Sequence, residues 1–432
     1  MITRFSAPKR RALLAASTAL LGAALATPAA HAQSASDSWL NSFLTRPTMT
    51  GDWNGGRTRL LDAGVLFHAF YDGNFADAMS GGHRTGNGYA QQLGFGVDLD
   101  TAKLFGLEGG TIHIGFNQRQ GRSVSADFIG NRLAVQEVYG AGETLRVTEL
   151  SYEQKIGTLV DFKGGFFPMG NDFAATPLGC DFMNVGFCAH PQSLPASSGW
   201  SDYPTGKWGG DIKLTPTPAL YIESGVFDVN PGYYAQENGL KMSTSQSTGA
   251  LIPVELGYTA NFDGLTGHYK LGAYWDTSKV GDVITSSEIQ SGRYGFYALA
   301  DQYVMHFDND PKRGLIVLGQ VSYSDPSTAL FQGTLVGALI AQGPFAARPA
   351  DFANIGYVRA VLNGRKLNHV EATTGATNLS TGEGVLEVGY GFQATPWLLI
   401  HPNVQYIMNP GTFSYKHVAN AWAFGAQVKA FF

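Results

Sequence analysis

Charge is what this 432-residue chain has least of: Asp, Glu, Lys and Arg make up 15 % of it, against roughly 25 % in soluble globular proteins. A disordered chain would carry more charge and fewer aromatics than the 12 % present. No Lys/Arg tract occurs and the pI is about 6.1, which excludes a basic nucleic-acid-binding face. Two cysteines are too few for a dense disulfide scaffold. Beyond residue 25, no apolar run reaches the roughly 18 residues of a membrane helix. The chain also lacks His-Glu-x-x-His, Gly-x-Ser-x-Gly, a Walker A motif and Gly-x-Gly-x-x-Gly. No catalytic residue, cofactor or metal site is therefore expected. What replaces the missing charge is Gly, at 55 residues, with Ser, Thr, Asn and Gln.

The N-terminus indicates a compartment. Arg4, Lys9, Arg10 and Arg11 precede an apolar stretch from Leu13 to Leu25, and Ala30-His31-Ala32 forms a small-x-small site. This pattern predicts a signal peptide over 1–32, Sec-type export and cleavage near Ala32. Without it, 25 basic residues face 34 acidic ones, a net charge of −9. An exported chain with no apolar helix is either soluble outside the cytoplasm or a membrane β-barrel.

Alternation separates these two. Side chains alternate across a strand, so a period of two marks a strand with one apolar and one polar face. Trp422, Phe424, Ala426, Val428 and Ala430 fall on one face, Gln427 and Lys429 on the other. Leu386, Val388, Tyr390 and Phe392 oppose Glu383, Glu387 and Gln393; Leu93, Phe95, Val97 and Leu99 oppose Gln92 and Asp98. About sixteen such windows run from 65–75 to 420–432, including 353–362 and 366–373. Most have the roughly 9–11 residues needed to cross a bilayer when tilted. A soluble sandwich would have shorter strands and a more apolar core face. The expectation is an all-β, transmembrane antiparallel barrel of 16 strands over 65–432, in the outer membrane of a bacterium, with short periplasmic turns and long extracellular loops. Sixteen strands leave an aqueous lumen. Residues 33–64 read as a periplasmic lead-in or plug. Segments 121–143 and 170–205 read as long loops that cover the mouth or fold inward. Within 325–352, the apolar run Leu335 to Ala341 suggests a loop helix or an inserted plug. The terminal aromatic Phe432 points to recognition by the barrel-assembly machinery, and the outer face to lipid and lipopolysaccharide. Monomer and trimer read alike.

An ordered series of motifs resembles the OprB-type carbohydrate-selective porins. Gly51-Asp52-Trp53-Asn54-Gly55-Gly56-Arg57 opens it, followed by Ser125-Ala126-Asp127-Phe128-Ile129-Gly130-Asn131 and Val135-Gln136-Glu137-Val138-Tyr139-Gly140. Leu150-Ser151-Tyr152-Glu153-Gln154, Gly170-Asn171-Asp172-Phe173-Ala174, Gly186-Phe187-Cys188 and Trp208-Gly209 continue it. The resemblance implies facilitated diffusion of monosaccharides through a sixteen-stranded barrel. Relatives often have Gly-Arg after Phe162-Lys163-Gly164; this chain has Gly165-Phe166-Phe167 instead.

A sugar path needs paired donors and acceptors for hydroxyls, and aromatic faces for the ring. The candidates on polar strand faces are Arg119, Glu149, Glu153, Lys163, Lys207, Asp211, Lys213 and Glu223, with Phe167, Trp200 and Trp208 as aromatics. For each, a solvated wall or a wall salt bridge is the plainer role. In an oxidising periplasm Cys180 and Cys188 favour a local disulfide over two free thiols. Two other functions remain open at this point. A general diffusion porin differs only in sugar preference. A barrel enzyme would need an acid pair such as Glu149 and Glu153 to do acid–base chemistry.

Overall fold

The computed structural model describes residues 35–432, apart from 140, 141 and 189. The signal peptide expected over 1–32 lies outside the described residues. Two units are distinguished, one ending at Thr45 and one beginning at Arg46. In the first, a helix spans Ala35–Thr45, with Trp39 stacked on Phe43 at 5.6 Å.

The second unit is a closed antiparallel barrel of sixteen strands. They are β1 Val65–Ser80, β2 Gly86–Asp100, β3 Gly110–Gly121, β4 Leu145–Ile156, β5 Val160–Phe167, β6 Lys207–Thr217, β7 Leu220–Val229 and β8 Gly249–Phe262. β9 Leu265–Gly281, β10 Ile289–His306, β11 Gly314–Ser324, β12 Phe331–Gln342, β13 Phe352–Leu362, β14 Gly382–Thr395, β15 Leu398–Met408 and β16 Ala421–Phe431 complete it. Each strand pairs with its sequence neighbours, and β16 closes on β1. Closure leaves no unpaired edge, the condition for a sheet to sit in hydrocarbon.

The period-two pattern maps onto the two faces. Leu93, Val254, Leu271, Phe296, Val388, Val404 and Phe424 are exposed on the outer wall. Asp72, Asn74, Gln92, Asn117, Glu255, Gln405 and Gln427 are buried on the inner wall. Those inner residues are buried because two long loops fold into the barrel: L2, residues 122–144, and L3, residues 168–206. Val124, Ile129, Leu133 and Val135 of L2 and Phe182, Met183 and Phe187 of L3 share one apolar cluster with the inner wall. Phe173, Leu194 and Trp200 of L3 share a second with Phe167, Phe227, Tyr274 and Tyr297. Phe182 and Phe187 stack at 4.3 Å against β13, where Gly356 leaves the room: a Cβ there would lie 2.7 Å from Phe187.

Two readings of the sequence are corrected here. Window 366–373 is not a strand but part of a helix, Gly364–Thr374. Asn363 caps its start, accepting from the N–H groups of Arg365 and Lys366, and Gly375 ends it with φ +73°. The missing strand is β12, inside the segment read as a loop or plug. Its outward Leu335 and Leu339 meet lipid while its inward Val336 and Ile340 join the first loop cluster. A strand apolar on both faces shows no alternation.

The lead-in from Arg46 to Gly64 closes the short-turn end. Met49 N–H donates to Phe431 O at 2.7 Å, and Arg57 donates to Phe67 O and Phe432 O, each at 2.9 Å. Arg57 thus bridges the two strands of the seam.

Candidate functional site

Register assembles the site. Lys429 of β16 lies opposite Asp72 of β1, Asp72 opposite Gln92 of β2, and Gln92 opposite Arg119 of β3. Four polar side chains from four consecutive strands thus form one row on the inner wall. Lys429 Nζ is 3.7 Å from Asp72 and 3.5 Å from Glu137 of L2, and it donates to Cys180 O of L3 at 2.9 Å. Gln427 donates to Asp72 and, at 2.7 Å, to Glu137. Arg119 donates twice to Gln92 Oε1, at 3.1 and 2.9 Å.

L2 and L3 face this row. Together they bound a cavity of about 810 Å³ whose lining includes Asp72, Gln92, Arg119 and Lys429 from the wall. L2 adds Arg132, Glu137 and Tyr139; L3 adds Asn171, Asp202 and Tyr203. Asn117 of β3 donates to the Tyr203 hydroxyl at 3.0 Å. Arg119, Arg132 and Lys429 are matched in number by Asp72, Glu137 and Asp202. The lining therefore offers strong donors and acceptors with little net charge.

L3 carries its own ion contact. His190, fully buried, sits 3.3 Å from Asp202, too poorly aligned for a hydrogen bond but close enough for charge pairing. Burial alone would push the Asp202 carboxyl up, but His190 and then Arg119 hold it below the usual carboxylate range. Burial would lower His190, and Asp202 raises it instead. Nearby, burial pushes Asp181 up to about 6 against the pull of Lys429.

Cys180 and Cys188 are joined by a disulfide. It lines the cavity beside Glu137. Joined sulfurs offer no thiolate, so this trio is not a metal site.

Of the residues singled out from sequence, Arg119 alone lines this cavity, apart from the two cysteines. The others that point inward form a charged lattice on the adjoining stretch of wall, β4 to β8. Lys155 lies opposite Asp161, Asp161 opposite Lys213, Lys213 opposite Glu223, and Glu223 opposite Glu255. In the adjoining row Glu153 faces Lys163, which faces Asp211. Lys213 pairs with Glu223 at 2.8 Å, Lys163 with Glu149 at 3.0 Å, and Glu153 with His113 at 3.1 Å. Lys207 is buried beneath L3 and donates to Gly199 O. Phe167 and Trp200 are buried where L3 meets the wall, with the Lys163 ammonium 4.5 Å from the Phe167 ring. Trp208 is corrected: it faces outward with Ile212 and Leu214, its ring 5.8 Å from Phe166. Lys207 and Trp208 are neighbours on one strand, so they cannot share a face.

Asp72, Gln92 and Lys429 were overlooked as a group. Each stands on a polar strand face, but the row appears only once register is known.

Comparisons with known proteins agree with this geometry. Residues 84–432 match the family described as "Carbohydrate-selective porin, OprB family". Porin B of Pseudomonas aeruginosa is 32 % identical, with 95 % of each chain covered. The high-pH structure of Pseudomonas putida OprB superimposes with a TM-score of 0.84 at 32 % identity, covering 90 % of this chain and 99 % of that one. Its low-pH structure gives 0.60 at 26 % identity over the same shares. With a sixteen-stranded barrel, a polar cavity lined by two inward loops and a family match over most of its length, the chain belongs to the OprB family of carbohydrate-selective porins and forms a sugar-selective outer-membrane channel.

Proposed function

We propose that the channel passes neutral monosaccharides of the glucose type by facilitated diffusion, and that the solute is selected between L2, L3 and the Lys429–Asp72–Gln92–Arg119 row. The observation that carries this reading is the balance of that lining. Lys429 has the Asp72 and Glu137 carboxylates beside it, and Arg119 has the Gln92 amide oxygen. An ion entering the gap meets no net field to replace its hydration, whereas a hydroxyl finds donors and acceptors at fixed positions. Tyr203, with Phe70 at 6.2 Å from its ring, supplies an apolar surface for a sugar ring. Weak contacts suffice, since solute must also leave. No energy source and no cofactor is needed for flow down a gradient.

Arg119 is the contact carried over from the sequence reading. The lattice of Glu149, Glu153, Lys163, Asp211, Lys213 and Glu223 serves as wall: Lys163 pairs with Glu149, Lys213 with Glu223 and His113 with Glu153, and these contacts hold L3's side of the lumen. Glu149 and Glu153, the acid pair a barrel enzyme would need, are each engaged in an ion pair, with Lys163 and His113, which favours a channel over a barrel enzyme. Export by the segment 1–32, assembly through the strand ending at Phe432 and lipopolysaccharide around the long-loop rim complete the reading. Block of single-channel current by added glucose tests it. Block by glucose but not by an amino acid of similar size supports selectivity, and equal effects of the two return the channel to general diffusion.

A further inference from the structure

Both loops that bound the cavity are anchored on one strand, β14, although L3 has further clasps on Glu255 of β8 and Asp276 of β9. On β14, Glu383 and Glu387 point inward with no exposed surface. Glu383 accepts the backbone N–H groups of Arg132 and Leu133 in L2, at 2.8 and 2.7 Å. Glu387 accepts those of Met183 and Asn184 in L3, at 2.7 and 2.9 Å. In each case one oxygen takes one N–H, so each carboxyl group clasps two successive residues of loop backbone.

The loops are also tied to each other at this place. Glu137 N–H donates to Met183 O and Val185 N–H to Ala134 O, both at 3.0 Å. The Asn184 side chain donates to Leu133 O at 3.1 Å and to Gln405 Oε1 at 2.9 Å. Gln405, the β15 partner of Glu387, donates to Val135 O at 3.0 Å. L2 and L3 thus form one body docked on β14 and β15. The partners of both carboxyl groups are backbone N–H groups of the loops. A buried N–H left unpaired is strongly unfavourable, so the loop backbone settles where the acceptors stand. Packing alone would accept an apolar residue at either position.

We propose that Glu383 and Glu387 are positioning residues for sugar passage: they fix L2 and L3 against β14 and so set the width of the constriction. The proposal rests on the reading that solute passes between these loops and the Lys429–Arg119 row. Neither residue lines the cavity. Glu383 sets the arm that carries Arg132 and Glu137. Glu387 sets the arm that carries the disulfide.

The test uses the full chain with Glu383→Gln, Glu387→Gln and Glu387→Ala. Heat-shifted gel migration confirms that each barrel closes. Gln keeps the size and one acceptor oxygen but turns an amide donor toward a backbone N–H. In Glu387→Gln, amide hydrogen exchange speeds up at 183–184 by about tenfold or more, with a smaller change at 132–133. Glu383→Gln reverses that pattern. Ion conductance rises about twofold in either Gln variant, as a wider pore requires, and block by glucose weakens. Glu387→Ala exceeds Glu387→Gln in both respects. Should the Ala variant fail to fold, the two Gln variants carry the test. Folded Gln variants with parental exchange would overturn the proposal, as would faster exchange with parental conductance. If the parent channel shows no glucose block, the transport reading fails, while exchange and conductance still decide the positioning role.

Discussion

Asp72 and Lys429 stand directly opposite each other on β1 and β16, the pair of strands that closes the barrel. The Lys429 ammonium also reaches Glu137 of L2 and the Cys180 carbonyl of L3. One cation therefore touches the seam and both inward loops. Its removal leaves Asp72 and Glu137 facing the lumen without their counter-charge.

Lys429→Met is thus expected to make the channel cation-selective. The reversal potential across a salt gradient reports this directly. The lost charge-assisted contacts also weaken L2 and L3 by about 1–3 kcal/mol. An unchanged reversal potential would show that Lys429 does not govern the constriction.

Arg119→Met removes a fixed donor set from the cavity while leaving β3 paired. Loss of one charge-assisted contact to a hydroxyl, about 1.5 kcal/mol, raises the half-saturation for glucose roughly tenfold. The concentration dependence of glucose block measures it. A parental value would remove Arg119 from the sugar path.

The disulfide spans eight positions of L3. Closing so short a loop stabilises it by about 2.5 kcal/mol in the chain-entropy account. Cys180→Ser with Cys188→Ser should leave barrel closure intact, since the strands do not depend on the bridge. It should increase current noise and speed hydrogen exchange over 180–188. Exchange at the parental rate would mean that the wall contacts alone hold the segment.

The sequence carried the barrel because lipid outside and water inside impose alternation on most strands. It failed at β12, where Val336 and Ile340 meet loop side chains instead of water, and at 366–373, where a capped helix carries a chance alternation. Parity tells which face a residue occupies, and it separates Lys207 from Trp208. It says nothing about height in the barrel. Glu153, Lys163 and Asp211 share polar faces with Lys429 and Gln92, yet register places them in a separate paired lattice on the neighbouring strands β4 to β6. Glu383 and Glu387 were legible as polar-face residues only. Their partners are backbone N–H groups some 200 or more positions away, at separations of 251 and 204 residues, which no local pattern encodes.

The His190–Asp202 contact gives L3 a pH window. His190 is raised, so its contribution is complete below the ordinary imidazole range and fades as pH climbs through the raised value. Asp202 is lowered, so its contribution is complete above the ordinary carboxylate range and fades as pH falls through the lowered value. L3 is accordingly most firmly held from about pH 4 to 6.5. In alkali it loosens, and hydrogen exchange around 190–202 accelerates. His190→Gln should abolish that alkaline change. An alkaline acceleration that survives the substitution would assign it to another group.

The central claim is that the gap between L2, L3 and the Lys429–Arg119 row selects neutral sugars. Liposome swelling measures it most directly, with the purified channel and isosmotic solutes. Glucose should enter faster than an amino acid of equal or smaller size, and the difference should narrow in Arg119→Met. Entry ordered by size alone, with glucose no faster than such an amino acid, would contradict the account.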